Sequence, residues 1–173
     1  MIATPLYPPD IADPAPYVKE LARRLVGGAS VTVVTYGALP ETVEGVVIVA
    51  IPKRSPAWIR IPRFALALMR AAWGADLLYV HTGLSAELPA ALAASLSRAK
   101  VLVRIDSSDA ARKSHGWVAS PVRSFLLWRA RAVVKNNGAL IRPEILPLEP
   151  RPDTALAAYE QAWAKHVTAI LTV

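Results

Sequence analysis

The chain has 173 residues, 54% of them hydrophobic and 19% charged, with a mean hydropathy of +0.34 and a net charge of +7. That length suits one domain with a sizeable core, and that composition excludes a disordered chain. Cysteine is absent, which excludes disulfides and thiolate metal sites and makes the cytoplasm the expected compartment.

The opening Met1-Ile2-Ala3-Thr4-Pro5-Leu6 is a short apolar strand that enters the proline-rich turn Tyr7-Pro8-Pro9-Asp10. It does not read as a signal peptide, because prolines interrupt it and no basic segment precedes it. The turn delivers an amphipathic helix, Tyr17 to Leu25, with Val18, Leu21, Ala22 and Leu25 on one face. Gly27-Gly28 is a cap signal, and Val31 to Thr35 and Val46 to Ile51 are β-branched strands. Pro62 fits a helix N-terminus, and that helix runs through Phe64, Leu66, Leu68 and Trp73. Its apolar run is bounded by Arg63 and Arg70, far short of the roughly 20 residues that span a membrane.

Leu77 to Val80 is a strand ending at His81-Thr82-Gly83, and Ser85 or its neighbour caps an alanine-rich helix reaching about Leu96. Val101 to Ile105 is a strand ending in Asp106-Ser107-Ser108-Asp109. Helices around Ala110 to His115 and Pro121 to Ala130 follow, and Val133-Val134 begins a last short strand. Four prolines between Arg142 and Asp153 mark an extended linker. From Thr154 to about Leu171 helical spacing returns, with Leu156, Tyr159, Trp163, His166, Val167 and Ile170 on one side. Alternating strands and helices predict an α/β fold: a single Rossmann-like domain with a mostly parallel sheet and helices on both faces. The expected organisation is a domain over 1–141, a linker over 142–153, and a helix over 154–173 that packs back on the domain.

The charge is segregated. From Arg98 to Lys135 nine basic residues accompany two acidic ones, Asp106 and Asp109, so this segment carries the whole net charge. Lys53 to Arg70 adds five basic residues and no acid. Arg60, Arg63 and Arg70 lie beside Trp58, Phe64 and Leu68, while Arg123, Arg129 and Arg131 lie beside Phe125, Leu126 and Trp128. Cations beside aromatic groups suit an anionic membrane surface, which would make the protein peripheral at the inner membrane face. Core helices with solvated arginines would give the same pattern. Nucleic acid is a weaker partner, because no recognised motif accompanies the basic segment with its Trp117, Phe125 and Trp128. Few amides, two methionines and 15 prolines point to a thermophile, although the modest charged fraction points the other way.

Three loops are expected to meet at the carboxyl ends of neighbouring strands: Pro8 to Pro14, His81 to Leu84, and Asp106 to Asp109. Pro9, Asp10, Asp13, Thr82, Gly83, Ser107 and Ser108 are therefore candidate ligand contacts, and His81, Asp106 and Asp109 candidate catalytic groups. Each has a plainer explanation: turn chemistry for Pro8-Pro9-Asp10, a packed histidine at position 81, helix caps at Asp106 and Asp109. His115 and His166 lack metal-ligand spacing, and no P-loop, nucleophile elbow or dinucleotide fingerprint occurs, so neither metal nor cofactor is expected.

The Tyr7-Pro8-Pro9-Asp10 turn and the helix after it resemble the start of family 4 glycosyltransferases, which have two Rossmann-like domains. The likeness runs from Met1 to about Gly116. Tyr159-Glu160-Gln161-Ala162-Trp163-Ala164-Lys165-His166 also looks like the Trp-containing helix that closes such chains. The resemblance implies an acceptor-binding domain, one half of a split sugar transferase acting on a glycan or lipid-linked acceptor. Its partner would be a donor-domain chain, or further copies in a homo-oligomer. Ala12-Asp13 stands where the family has a glycine pair, and Asp13 would oppose a pyrophosphate. Asp106 stands where many members have a histidine, and its carboxylate could orient an acceptor hydroxyl or take its proton. The alternative is a non-enzymatic binding module for a glycan, a lipid phosphate or a protein partner.

Overall fold

In the computed structural model, which describes residues 1–10, 15–105, 119–135 and 153–173, six strands form one sheet. In chain order the elements are β1 (Ile2–Ala3), α1 (Ala15–Leu25), β2 (Val31–Tyr36), β3 (Val46–Ile51), α2 (Ala57–Ala72) and β4 (Leu77–His81). Then come α3 (Leu84–Leu96), β5 (Lys100–Ile105), α4 (Ala119–Arg129), β6 (Ala130–Lys135) and α5 (Asp153–Leu171). The strand order is β3-β2-β1-β4-β5-β6 and every pairing is parallel, so the fold is a single Rossmann-like α/β domain.

Successive residues of a strand point to opposite faces, and the two cores divide accordingly. Ala3, Val34, Leu78, Val80, Val101 and Val103 face a core shared with Phe64 and Leu68 of α2, Ala90 and Ala94 of α3 and Leu126 of α4. Ile2, Val33, Tyr79, Leu102 and Val134 face the other, shared with Val18, Leu21 and Ala22 of α1 and Trp163 and Ile170 of α5. Alanines fill most of the inner side of α3, letting that helix sit close to the sheet.

Three local features differ from the sequence expectation. Helix α2 begins at Ala57 rather than at Pro62, because Pro56 takes the N-cap position and its carbonyl accepts from Ile59 and Arg60. Pro62 lies exposed inside the helix, where it forfeits one backbone hydrogen bond. Gly83, not Ser85, caps α3, without a side-chain hydrogen bond. β6 begins at Ala130, three residues before the Val133 start that the sequence suggests.

Residues 37–45 join β2 to β3 without a helix, and β3 is left at the sheet edge with Val47 61% exposed. Nine extended residues reach about 30 Å, enough to return along a strand of six. The return closes at Gly45, whose φ of +76° is the left-handed conformation that glycine adopts without penalty.

Helix α5 lies beside α1. The Trp163 indole stacks on Tyr17 at 5.4 Å, and the Arg24 guanidinium lies 5.0 Å above the indole. Arg24 also donates two hydrogen bonds to the Glu160 carboxylate, both 2.7 Å, and one to Glu20 at 2.6 Å. Arg24 holds Glu160 below the usual carboxylate range. At Glu20, burial raises the carboxyl, but Arg23 and Arg24 together outweigh it and leave a net lowering.

Candidate functional site

The strand order reverses between β1 and β4, and the crevice at the carboxyl ends of those strands is where a doubly wound sheet takes its ligand. The first loop is built tightly there. Thr4 extends the pairing through its amide to the Val34 carbonyl, while its hydroxyl donates to the Leu6 carbonyl at 2.8 Å. The Asp10 amide donates to the Tyr7 carbonyl across the cis Pro8-Pro9 bond. Glu41 donates its amide to Pro8, which ties this loop to the segment after β2. Pro9 is exposed; Asp10 is half-buried and pairs with Lys53 at 2.5 Å. The Tyr7 side chain is buried, and its hydroxyl has no hydrogen-bond partner among the described residues. Burial first, then the Glu41 charge, pushes that hydroxyl up to about 12.

Beside it, β4 ends at His81 and continues through Thr82 and Gly83 into α3. Thr82 is buried and its amide donates to the Arg104 carbonyl of β5. Gly83 touches the first loop so closely that a Cβ there would lie 2.9 Å from Cγ of Pro5. The two loops are thus in contact, and glycine is what permits the approach.

His81 is fully buried, with its ring 6.2 Å from that of Tyr17 and 6.4 Å from that of Tyr79. Burial, and then the Arg104 charge, hold its imidazole well below its ordinary value, so it is neutral at pH 7. In the sheet register His81 lies opposite Arg104, whose guanidinium sits 3.6 Å from the centre of the Tyr17 ring. The Tyr17 hydroxyl is 3.2 Å from that of Tyr79 and 2.5 Å from Nε2 of His166. Tyr17, Tyr79, His81, Arg104 and His166 therefore form a buried polar floor under the carboxyl edge. It joins α1, β4, β5 and α5.

Asp13, Asp106, Ser107, Ser108 and Asp109 lie outside the described residues, as do His115 and Trp117 and residues 142–152 of the expected linker. Ile105 ends β5 next to β4, so the chain enters 106–109 from the same sheet edge as His81 to Gly83. Among the arginines of the basic surface, Arg63, Arg70 and Arg131 are exposed and Arg129 is half-buried. Arg60 is turned inward, 5.3 Å over the Tyr36 ring with a hydrogen bond to the Lys53 carbonyl. Arg123 is paired at 2.5 Å with Glu87, a carboxylate buried in the first turn of α3. Among the described residues no group of histidines and carboxylates could hold a metal ion.

A cavity of about 410 Å³ lies at the opposite, amino edge of the sheet, lined by Ala29, Ser30, Asp76, Leu77, Lys100 and Leu171 among others. Lys100 spans it to the Val173 carbonyl. Doubly wound sheets bind at the other edge, so the crevice between the first loop and Gly83 is the stronger candidate.

Sequence reasoning missed Arg104, Tyr17 and Tyr79 and left His166 as an isolated residue. One signal was available: Arg104 interrupts an apolar strand two residues after Leu102, and Tyr79 and His81 alternate in the neighbouring strand. Polar groups at period two within buried strands mark a shared interior cluster.

No curated protein matches the chain. The glycosyl transferase 4-like domain matches residues 14–142, well over half of its length. With the all-parallel sheet and its switch-point crevice, this match makes the chain a member of the glycosyltransferase 4-like domain family.

Proposed function

We propose that this domain is the acceptor-binding half of a sugar transferase, with the nucleotide-sugar held by a separate donor-binding chain. The acceptor is a glycan or a lipid-linked saccharide, and the setting is the cytoplasm. The observation that carries the reading is the contact of Pro5 with Gly83, which brings the first loop and the β4–α3 loop to one crevice in a chain of this family. Asp106 and Asp109 follow β5 in sequence and serve as the acid–base groups, with Ser107 and Ser108 as acceptor contacts. Pro9, Asp10, Asp13 and Thr82 border the acceptor from the other two loops.

Amide-resolved titration tests the binding half of this reading. Oligosaccharide or saccharide-phosphate acceptors should perturb Thr82, Gly83 and Asp10, and nucleotide-sugars should leave them unmoved. Stoichiometric binding of a nucleotide-sugar by the isolated chain would overturn it. In a reconstituted pair, Asp106→Asn should lower kcat by about 10²–10⁴-fold.

A second reading, a binding module without catalysis, draws on a specific observation. Two of the described polar candidates, His81 and Asp10, are engaged within the fold, one buried and neutral, the other paired with Lys53. Acceptor binding with no sugar transfer in the presence of a donor-binding partner would favour it.

A further inference from the structure

Strand β3 ends the sheet on one side and β6 on the other, and the two edges are built differently. β6 carries Arg131 and Lys135, and its register with β5 is interrupted between Val101 and Leu102. Charges and irregularities of that kind blunt an edge against further pairing. β3 reads Val46-Val47-Ile48-Val49-Ala50-Ile51, with no charge, no proline and an unbroken register against β2 from Val31↔Val46 to Tyr36↔Ile51. A regular apolar edge of this sort is a template for another strand.

The free backbone groups of β3 follow from one hydrogen bond. The Ile51 carbonyl accepts from the amide of Gly37, just after β2, so Ile51, Val49 and Val47 turn their backbone groups toward β2. By alternation, Ile48 and Ala50 direct amide and carbonyl away from the sheet, where no described strand meets them. Val47 shares a face with Val49 and Ile51 and is 61% exposed. The flanks of the strand carry opposite charges. Glu44 precedes β3 and Arg54 follows it; both are exposed, and neither has an ion-pair partner among the described residues. Glu41 and Lys53, close to them in sequence, are already paired with Lys19 and Asp10.

We propose that two copies of the chain join antiparallel through β3, about a two-fold axis at Val49, so that one sheet runs through both. A two-fold axis perpendicular to the sheet keeps every side chain on its own face, so residues can oppose one another only at even spacing from their counterparts. With Val49 on the axis, Ile48 and Ala50 exchange both hydrogen bonds, and symmetry supplies that pair twice. Val47 then covers Ile51 of the other copy, and Glu44 falls opposite Arg54 at each end of the joint. Moving the axis to Ile48 or Ala50 would set Glu44 against Pro52 or Pro56 instead. Pro52, with no amide to donate, ends the ladder. A second copy suits this edge better than an unrelated strand, because each end of β3 supplies the charge that the other end lacks. The segment from Arg98 to Lys135, which carries the net charge, supplies β5 and β6 across the sheet from the joint.

Sedimentation equilibrium of the intact chain tests it. Between about 1 and about 100 µM the mass should rise from 18.6 kDa toward twice that value. Val47→Lys places a charge on the exposed edge and should leave the chain monomeric, with the far-UV circular dichroism of wild type. Glu44→Arg and Arg54→Glu should each weaken dimerisation by at least about tenfold, since each turns two attractive pairs into repulsive ones. The two reversals together should restore it to within about threefold. The register has its own test, because the chain contains no cysteine. Val49→Cys places two thiols at a non-hydrogen-bonded pair, a separation that a disulfide spans, and mild oxidation should cross-link the dimer. Leu39→Cys, exposed outside the strand, should cross-link far less. A monomer at every concentration, a dimer indifferent to Val47→Lys and to the charge reversals, or equal cross-linking through position 39 would each overturn the proposal.

Discussion

Removing the Trp163 indole should release α5 from the sheet. The side chain is 2% exposed, stacked on Tyr17 with the rings 25° apart, and met edge-on by Tyr159 and His166. Truncation to alanine at such a site costs about 3–5 kcal/mol in transfer and cavity terms. Loss of the Arg24 contact adds at most about 1 kcal/mol, since Arg24 keeps Glu20 and Glu160. Nε1 of Trp163 has no hydrogen-bond partner among the described residues. Trp163→Phe therefore removes a buried orphan donor, worth roughly 1–3 kcal/mol, along with some volume. The phenylalanine variant should lose less than about 2 kcal/mol, well below the alanine variant. Urea unfolding followed by far-UV circular dichroism measures both. An alanine variant within about 1 kcal/mol of wild type would refute the docking of α5 through this ring.

The remaining predictions address single contacts. Gly45→Ala adds a Cβ in the left-handed region and 2.7 Å from Cγ1 of Val26, so it should cost about 1–3 kcal/mol. Val26→Ala in the same chain should recover only the steric part in a thermal melt. Gly83→Ala drives a Cβ onto the rigid Pro5 ring and should cost about 1–3 kcal/mol, lowering Tm by several degrees and weakening acceptor binding. His81 makes stability depend on pH in a definite direction. Its folded-state value lies below its ordinary 6.5, so the unfolded chain binds the proton first. The stabilisation is complete above about 6.5 and declines as pH falls below it. His81→Gln should flatten the stability profile between about pH 7 and 5, and an unchanged slope would show that the ring does not titrate there.

Much of the fold was legible because its signals are local. Val18, Leu21, Ala22 and Leu25 recur at helical spacing and all four are buried, and Val46 to Ile51 is a strand with the bounds its β-branched run implies. The start of α2 misled because Pro62 satisfies a first-turn rule that Pro56, six residues earlier, satisfies in space. Ser85 looked like a cap by residue type, but its carbonyl instead accepts the Tyr36 hydroxyl. The site was less legible for a different reason. Gly83 matters because Pro5 lies against it, a contact across almost eighty residues that no local pattern encodes. Arg104 is a charge within an apolar strand, and only the register that puts it opposite His81 shows where it points.

The buried floor also bears on how the parts of the chain cooperate. Tyr17 stands between Trp163 and His166 of α5 on one side and Arg104 of β5 on the other. Arg104 in turn faces His81, and its backbone carbonyl holds Thr82 at the mouth of the crevice. α5 is thus connected to the Thr82–Gly83 loop through three close-packed layers of side chains. Such a chain transmits strain, because close-packed interiors have little free volume in which to absorb it. The helix that covers one face of the sheet is therefore in continuous packing contact with the groups at its edge. The helix layer on the other face is bridged to the sheet through Tyr36, whose hydroxyl donates to the Ser85 carbonyl of α3 and whose ring lies under Arg60 of α2, while Glu87 and Arg123 join α3 to α4 within the layer.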